Sequence, residues 1–272
     1  MINIVLSNFD LSQIANSGQC FRMNKSSESS YTVIAQNRVI EIEKLGNSMF
    51  RFYCDEDDFS KIWYDYFDLG EDYSRFINSI DKNDSFLIKA ADYGSGIRIL
   101  KQDPWETLIT FIISQRKNIP AIKKSVELLS KNYGTEIGDN LFSFPTPEKI
   151  ASLNIDLLNQ CSLGYRSPYV LKAAQTISNG EIDLQTLYSN DDEKLFQILT
   201  SFYGVGKKVA NCIMLFAYHR IAAFPIDVWI SRILEKEYNN LFDTTKYNGF
   251  AGVIQQYMFY YAQNSDDYKK AK

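Results

Sequence analysis

Two glycines that bracket one valine, at residues 204–206, constrain the fold of this chain more than any other feature. The segments on either side have helical periodicity, with apolar faces made by Ile198, Leu199 and Phe202 before the glycines and by Val209, Ile213 and Phe216 after them. This pattern predicts a helix-hairpin-helix over about residues 195–218. The amides of such a hairpin can bind a phosphate at a helix N-terminus. An ordinary corner between two helices explains the glycines equally well.

The rest of the chain predicts an α+β fold, in which a small antiparallel β-sheet domain precedes a mostly helical body. Runs rich in β-branched and aromatic residues at 31–35, 38–43 and 49–53 are separated by turn residues and predict a meander. Helical periodicity begins near Phe59, and Asp103-Pro104 marks the start of a central buried helix. We therefore expect a sheet domain with flanking helices over residues 1–95 and a helical domain over residues 96–272.

Composition excludes several classes of protein. The 272 residues contain no apolar run long enough for a transmembrane helix, and the first residues lack the pattern of a signal peptide. The cysteines are far apart and share no CxxC spacing, which argues against a zinc site, an iron–sulfur cluster or a disulfide framework and favours a reducing cytosol (Cys20, Cys54, Cys161 and Cys212). The net charge of −4 does not exclude nucleic acid, because basic residues cluster at 116–124 and 207–220.

A carboxylate follows the lysine-bearing hairpin by about 20 residues, at Asp227. It could simply cap the next helix. The stretch from Tyr203 to Trp229, YGVGKKVANCIMLFAYHRIAAFPIDVW, closely resembles the lysine-and-aspartate signature of the 8-oxoguanine DNA glycosylase/AP lyases, a family of the helix-hairpin-helix DNA glycosylases. Further resembling blocks occur in the family's order over nearly the whole chain, at residues 17–22, 96–115, 163–166 and 250–259. The absence of cluster-binding cysteines agrees with this branch and not with the endonuclease III-like or adenine-glycosylase branches.

The resemblance implies a bifunctional enzyme that excises 8-oxoguanine through a lysine Schiff base and then cleaves the strand by β-elimination. An amine attacks only when it is neutral, so burial and a helix N-terminus both favour the reaction. Lys208 shares a helix face with Cys212 and lies immediately before Val-Ala, where the family has its nucleophile. Lys207 is then either a phosphate contact or a solvated charge. Asp227 is expected to stabilise the developing sugar cation.

The resemblance also implies a pocket for the extruded base. Phe259 and Cys212 would sandwich the base, Gln255 would read its Watson–Crick edge, and the carbonyl of Gly18 would accept the N7 hydrogen of 8-oxoguanine. Without the resemblance, Phe259 would be read as a core residue and Gly18 as a turn glycine. Trp229 completes the expected substrate-binding set, but it stands where the eukaryotic enzymes have histidine, so the histidine's contact cannot be carried over.

The expected DNA contacts are Arg116, Tyr165, Arg166, Gly204, Gly206 and Lys207. Arg116 stands where the eukaryotic enzymes have an asparagine that contacts the orphaned cytosine, and Ala121 where they have an arginine that reads the same base. Because alanine cannot form that hydrogen bond, we expect a relaxed preference for the opposite base. Tyr165 would wedge into the duplex, although packing on its own domain is an equal alternative.

We expect double-stranded DNA containing 8-oxoguanine as the partner, no membrane association, a monomer, and a cytoplasmic, nucleoid-associated protein of bacterial type. No cofactor is expected to be required and no side chain to bind a metal, whereas backbone carbonyls of the hairpin could hold a structural cation. Two alternatives remain at this point: a glycosylase for another modified or alkylated purine, and a non-catalytic helix-hairpin-helix DNA-binding protein.

Overall fold

The computed structural model describes residues 1–269 and begins with a five-stranded antiparallel sheet. Its strands follow the order β1-β5-β4-β3-β2 and are β1 (Ile2–Val5), β2 (Met23–Lys25), β3 (Ser30–Ala35), β4 (Arg38–Lys44) and β5 (Met49–Phe52). The predicted meander corresponds to β3, β4 and β5. The outer strands β1 and β2 were not predicted, and they complete both edges of the sheet.

Helices cover one face of the sheet and form the body that follows it. The first helices are α1 (Leu11–Asn16), α2 (Glu56–Asp58), α3 (Tyr64–Tyr66), α4 (Ser74–Asn78) and α5 (Ser85–Tyr93), with a π-helical turn over Phe59–Trp63. The later ones are α6 (Pro104–Ser114), α7 (Ile119–Tyr133), α8 (Pro147–Ala151), α9 (Ile155–Gln160), α10 (Ser167–Ser178), α11 (Asp192–Ser201), α12 (Lys207–Phe216), α13 (Val228–Tyr238), α14 (Ala251–Asn264) and α15 (Asp266–Lys269). A short hairpin of β6 (Glu136–Gly138) and β7 (Leu141–Phe142) lies between α7 and α8, and 3₁₀ turns cover Gly164–Arg166, Thr186–Ser189 and Thr244–Tyr247.

The central helix forms where the sequence predicts it. The carboxylate of Asp103 accepts the amide hydrogen of Glu106 at 2.8 Å, and Pro104 occupies the first helical position of α6. Leu108 through Ile113 are all buried, so α6 runs through the middle of the helical body. Among the described residues, no helix has the length and apolar character needed to span a membrane.

Apolar side chains form two cores, one under the sheet and one in the helical body. Phe50, Phe52 and Trp63 belong to the first core. The apolar residues of α4 and α5 belong to the second core, and α5 packs against α14. The predicted domain boundary between residues 95 and 96 stays a prediction, but in the packing α4 and α5 already join the helical side.

Buried polar side chains join the sheet to the helical body. The guanidinium of Arg98 donates hydrogen bonds to the carbonyls of residues 7, 8, 67, 68 and 71. Gln19 donates to the carbonyl of Arg98 and accepts the amide hydrogen of Leu100, both at 2.8 Å. These bonds satisfy main-chain groups that would otherwise be buried without partners, and they fix the loop that carries Gly18.

Candidate active site

A cleft of about 730 Å³ opens in the helical body. It lies between the C-terminal end of α6, the start of α7, one side of α12, the start of α13, the helix α14, and the loop before Cys20. Its walls include eight of the residues that the sequence singled out, namely Gly18, Arg116, Lys208, Cys212, Asp227, Trp229, Gln255 and Phe259. Residues that are far apart in the sequence therefore meet in one place, as the resemblance implies.

The hairpin between α11 and α12 has one glycine that the backbone requires and one that it does not. Gly204 has φ +84°, and a Cβ built there would lie 2.5 Å from the ring of Tyr169. Gly206 has φ −95°, and a Cβ there would meet nothing within 4 Å. Gly206 is the N-cap of α12 and no side chain caps that helix. The first amides of α12 therefore have no side-chain cap, and an uncapped helix N-terminus can bind an anion.

The two adjacent lysines have different surroundings. Lys207 is exposed, whereas Lys208 is half-buried in the cleft wall with its Nζ 5.3 Å from the centroid of the Phe111 ring. Burial raises the pKa of the Cys212 thiol, and the neighbouring Lys208 ammonium partly offsets this effect by charge and by a hydrogen bond. Helical geometry predicted that the two lysines point in different directions. In the structure, Lys208 lines the cleft and Lys207 does not.

Asp227 caps α13 while it lines the cleft. Its Oδ1 accepts the amide hydrogens of Trp229 and Ile230, both at 2.9 Å. Burial raises the pKa of the Asp227 carboxyl, against the opposing effects of these amides and of the Lys208 charge. The prediction that Asp227 caps the next helix is confirmed, and the same carboxylate also interacts electrostatically with Lys208.

The predicted base-sandwiching residues lie in the cleft together with Gly18. Gly18 has φ +74°, and a Cβ there would lie 2.9 Å from Cε1 of Phe259. The main chain of Gly18 therefore approaches the Phe259 ring as closely as only glycine allows. Cys212 is buried in the wall formed by α12, and the cleft is also lined by Phe111 and Phe216, whose rings stack on each other. The cleft thus has flat apolar surfaces that suit a planar ligand.

Gln255 and Trp229 also line the cleft. Gln255 is buried, and its Oε1 accepts a hydrogen bond of 3.0 Å from Nε2 of Gln256. Trp229 is partly buried at the start of α13, and the Arg232 guanidinium lies 5.6 Å from its ring centroid. Both side chains are placed where a bound base could contact them.

The predicted DNA contacts divide into exposed and buried side chains. Arg116 is exposed at the mouth of the cleft with φ +52°, and Tyr165 is 51% exposed. Arg166 is only 6% exposed, and its guanidinium donates to the carbonyls of Gln115 and Leu163. This geometry makes Arg166 a residue that holds the loop in place, and its expected contact with DNA stays a prediction.

Two further polar residues escaped the sequence analysis. Gln115 donates to the carbonyl of Gly204 at 3.1 Å, and its own carbonyl accepts from the hydroxyl of Tyr165, so it ties the hairpin to the Tyr165 loop. The only signal for Gln115 in the sequence is a polar residue directly after an apolar helix. Gln256 lines the cleft beside Gln255, and burial, which the sequence does not display, distinguishes it from a surface residue.

The comparisons with known proteins agree with this geometry. Residues 109–246 match the family described as HhH-GPD superfamily base excision DNA repair protein, and residues 1–108 match the 8-oxoguanine DNA glycosylase N-terminal domain. The solved structure of MBOgg1 with a low-affinity DNA ligand is 37% identical over 95% of this chain and 94% of that chain, with a TM-score of 0.90. An 8-oxoguanine glycosylase/lyase from Clostridium acetobutylicum, solved with double-stranded DNA that contains cytosine opposite 8-oxoguanine, is 35% identical over 94% of this chain and 92% of that chain, with a TM-score of 0.88.

A curated relative gives the same class over a shorter span. The N-glycosylase/DNA lyase of Saccharomyces cerevisiae is 36% identical over 56% of this chain, and the match spans 46% of the yeast protein. The hairpin, the cleft and these matches define the class as that of the HhH-GPD base excision DNA repair proteins. Within that class, the chain belongs to the 8-oxoguanine DNA glycosylase family.

Proposed function

We propose that this chain removes 8-oxoguanine from duplex DNA and then cleaves the resulting site, as a bifunctional glycosylase and AP lyase. The observation that carries the proposal is the position of Lys208, a half-buried amine that lines the cleft and is electrostatically coupled to the capping carboxylate of Asp227. A binding module would need the hairpin but not an amine and a carboxylate inside a cleft with flat walls.

In the proposed reaction, the Lys208 amine is neutral, and its Nζ attacks the anomeric carbon of the damaged nucleotide. The bond between the base and the sugar breaks, and its electron pair leaves with the base. The Asp227 carboxylate stabilises the positive charge that develops on the sugar. After Nζ loses its proton and the sugar ring opens, the lysine and sugar form a Schiff base. Loss of a proton from the adjacent sugar carbon then expels the 3′ phosphate by β-elimination.

Borohydride trapping tests this role of Lys208, because reduction of the Schiff base links enzyme and DNA covalently. We expect trapping on duplex containing 8-oxoguanine and none on undamaged or uracil-containing duplex. Lys208→Gln should abolish excision and trapping while DNA binding persists, and Lys207→Gln is the matched control on the exposed neighbour. Trapping that survives in Lys208→Gln but disappears in Lys207→Gln would reverse the assignment. Wild-type protein that binds DNA without any trapping would favour a non-catalytic module.

For recognition, we propose that the base leaves the duplex and enters the cleft between Phe259 and Cys212. The carbonyl of Gly18 would accept the N7 hydrogen, which 8-oxoguanine has and guanine lacks. A buried acceptor left without its donor costs about 1–3 kcal/mol, so one contact can distinguish the two bases. Phe259→Ala and Gln255→Ala should weaken binding to 8-oxoguanine duplex more than binding to guanine duplex, as measured by fluorescence anisotropy. Unchanged preference in both variants would remove these residues from the pocket.

On the DNA side, we propose that the first amides of α12 bind a phosphate and that Lys207 and Arg116 contribute exposed positive charge beside it. Tyr165 would enter the gap that the extruded base leaves. Because Ala121 offers no hydrogen bond to the opposite base, we expect a relaxed preference for the base opposite the lesion, with small differences in excision rate. Single-turnover rates measured on the four duplexes test this expectation, and a strong preference for cytosine would contradict it.

We also propose a monomer of bacterial type that works in the cytoplasm on nucleoid DNA without an obligatory cofactor. Among residues 1–269, no group of three or more His, Cys, Asp or Glu side chains could hold a metal ion, so a cation at the hairpin would have to bind main-chain carbonyls. Light scattering at several protein concentrations tests the monomer, and excision after exhaustive treatment with a chelator tests the cofactor proposal.

A further inference from the structure

Two consecutive glutamines of α14 form a hydrogen-bonded pair in the wall of the cleft. Gln256 is only 3% exposed, and its Nε2 donates to Oε1 of Gln255 at 3.0 Å. Oε1 of Gln256 is buried and has no hydrogen-bond partner among the described residues. A buried acceptor without a partner is unfavourable by about 1–3 kcal/mol, so this arrangement needs an explanation.

The pair restricts how Gln255 can present its amide. A glutamine side chain has a donor end and an acceptor end, and rotation of the amide by half a turn exchanges them. With Gln256 donating, Oε1 of Gln255 must face its neighbour, because the opposite orientation would bring two N–H groups together. The donor end, Nε2 of Gln255, is then the end left for a ligand in the cleft.

We propose that Gln256 is a positioning residue, which fixes the amide orientation of Gln255 and thereby selects the Watson–Crick edge that the cleft accepts. This inference rests on the proposed function, in which Gln255 reads the base. Because Oε1 of Gln256 is buried, the end of the pair that is left for a ligand is the donor Nε2 of Gln255. The unpartnered Oε1 is then the consequence of holding Gln255 in this orientation.

A donor at this place is complementary to the oxygen acceptor at position 6 of oxidised guanine. The Watson–Crick edge of 8-oxoguanine presents an oxygen acceptor at position 6 and an N–H donor at position 1. The edge of 8-oxoadenine presents the reverse, an amino donor at position 6 and a nitrogen acceptor at position 1. Both bases carry the 8-oxo group and the N7 hydrogen, so contacts to that side of the ring cannot separate them. The glutamine pair therefore supplies discrimination that the Gly18 carbonyl does not.

The test compares excision of 8-oxoguanine with excision of 8-oxoadenine in single-turnover assays. Gln256→Leu removes the donor that holds Gln255, so its amide is free to rotate, and the preference for 8-oxoguanine should fall by roughly tenfold or more, as expected for one lost buried hydrogen bond. Gln256→Glu keeps the shape of the side chain but offers only acceptors, so it should turn Gln255 around and shift the preference further toward 8-oxoadenine.

Trapping on duplex that contains an abasic site is the control, because this reaction requires Lys208 but no base reading. Both variants should keep it. Retained trapping together with an unchanged preference in either variant would overturn the role of Gln256. If Gln256→Leu does not fold, the glutamate variant decides the question. Absence of trapping in the wild-type protein would instead refute the proposed function, so the two failures are distinguishable.

Discussion

Replacement by alanine is expected to affect the two hairpin glycines differently, with the larger loss of stability at Gly204. Gly204 has φ +84°, and an added Cβ would lie 2.5 Å from two atoms of the Tyr169 ring. That ring cannot move freely, because it packs edge-on against Tyr203 at a centroid distance of 4.9 Å. Gly204→Ala therefore strains the backbone and also makes the new Cβ overlap with an aromatic ring that its neighbour holds in place.

The expected size of the effect follows from these two contributions. A left-handed conformation costs an alanine about 1–2 kcal/mol, and overpacking costs about 1–3 kcal/mol. The sum is about 2–5 kcal/mol, which corresponds to a decrease in melting temperature of roughly 4–10 °C for a chain of this length. Differential scanning calorimetry measures this decrease directly.

Gly206→Ala is the matched control, because its φ is −95° and an added Cβ would meet nothing within 4 Å. We expect a stability loss of about 1 kcal/mol at this N-cap. If a phosphate approaches the amides there, the methyl group should displace it, and affinity for duplex DNA should fall roughly tenfold to a hundredfold, as for one charge-assisted hydrogen bond.

The two variants together are informative because Gly204→Ala should lower the melting temperature more than Gly206→Ala does, whereas Gly206→Ala is the variant designed to weaken DNA binding. A melting temperature for Gly204→Ala equal to that of the wild type would refute the argument from Tyr169. Wild-type DNA affinity for Gly206→Ala, measured by anisotropy at fixed salt, would refute a phosphate site at the start of α12.

Two further predictions concern Glu106 and Gly18. Burial raises the pKa of Glu106 from 4.5 to about 7, so the folded protein binds this proton more tightly than the unfolded chain does. The free energy of unfolding should then decrease as pH rises from about 4.5 to about 7. Glu106→Gln should make this pH dependence weaker in melts recorded between about pH 5 and 8. The same pH dependence in the variant and the wild type would contradict the prediction. Gly18→Ala would place a Cβ 2.9 Å from Phe259, so it should slow 8-oxoguanine excision while abasic-site trapping persists, and loss of both activities would point instead to a folding defect.

Local signals in the sequence predicted much of the fold. Asp103 and Pro104 marked the start of α6 because capping depends on residues that are neighbours in the chain. The strands β3 to β5 were visible because their side chains carry strong β preference and tight turns join them. The strands β1 and β2 are short, and β1 pairs with the distant β5, so only the tertiary structure reveals them.

The candidate site likewise combines features that the sequence predicts with features that only the structure shows. Helical geometry placed Lys208 and Cys212 on one face, and both line the cleft. The buried state of Arg166 could not be predicted, because it depends on the carbonyl of Gln115, which is distant in the sequence. The hydrogen bond between Gln255 and Gln256 was equally invisible, since adjacent residues on a helix do not ordinarily face one another.

The way in which Arg98 joins the two cores has a consequence for how this protein can change. Its guanidinium lies 4.3 Å from the centroid of the Tyr73 ring and donates hydrogen bonds to main-chain carbonyls, at residues 7, 8, 67, 68 and 71. Main-chain oxygens are the same whatever side chain each position carries, so these five positions can be substituted without removing the acceptors. Arg98 itself has no such freedom, because lysine has a single nitrogen and cannot reach acceptors spread around a planar fork. The side chains at these five positions can thus change, in a redesigned or diverged protein, without loss of the acceptors. The junction with the helical body, which Gln19 also bridges, depends in contrast on the planar fork of Arg98.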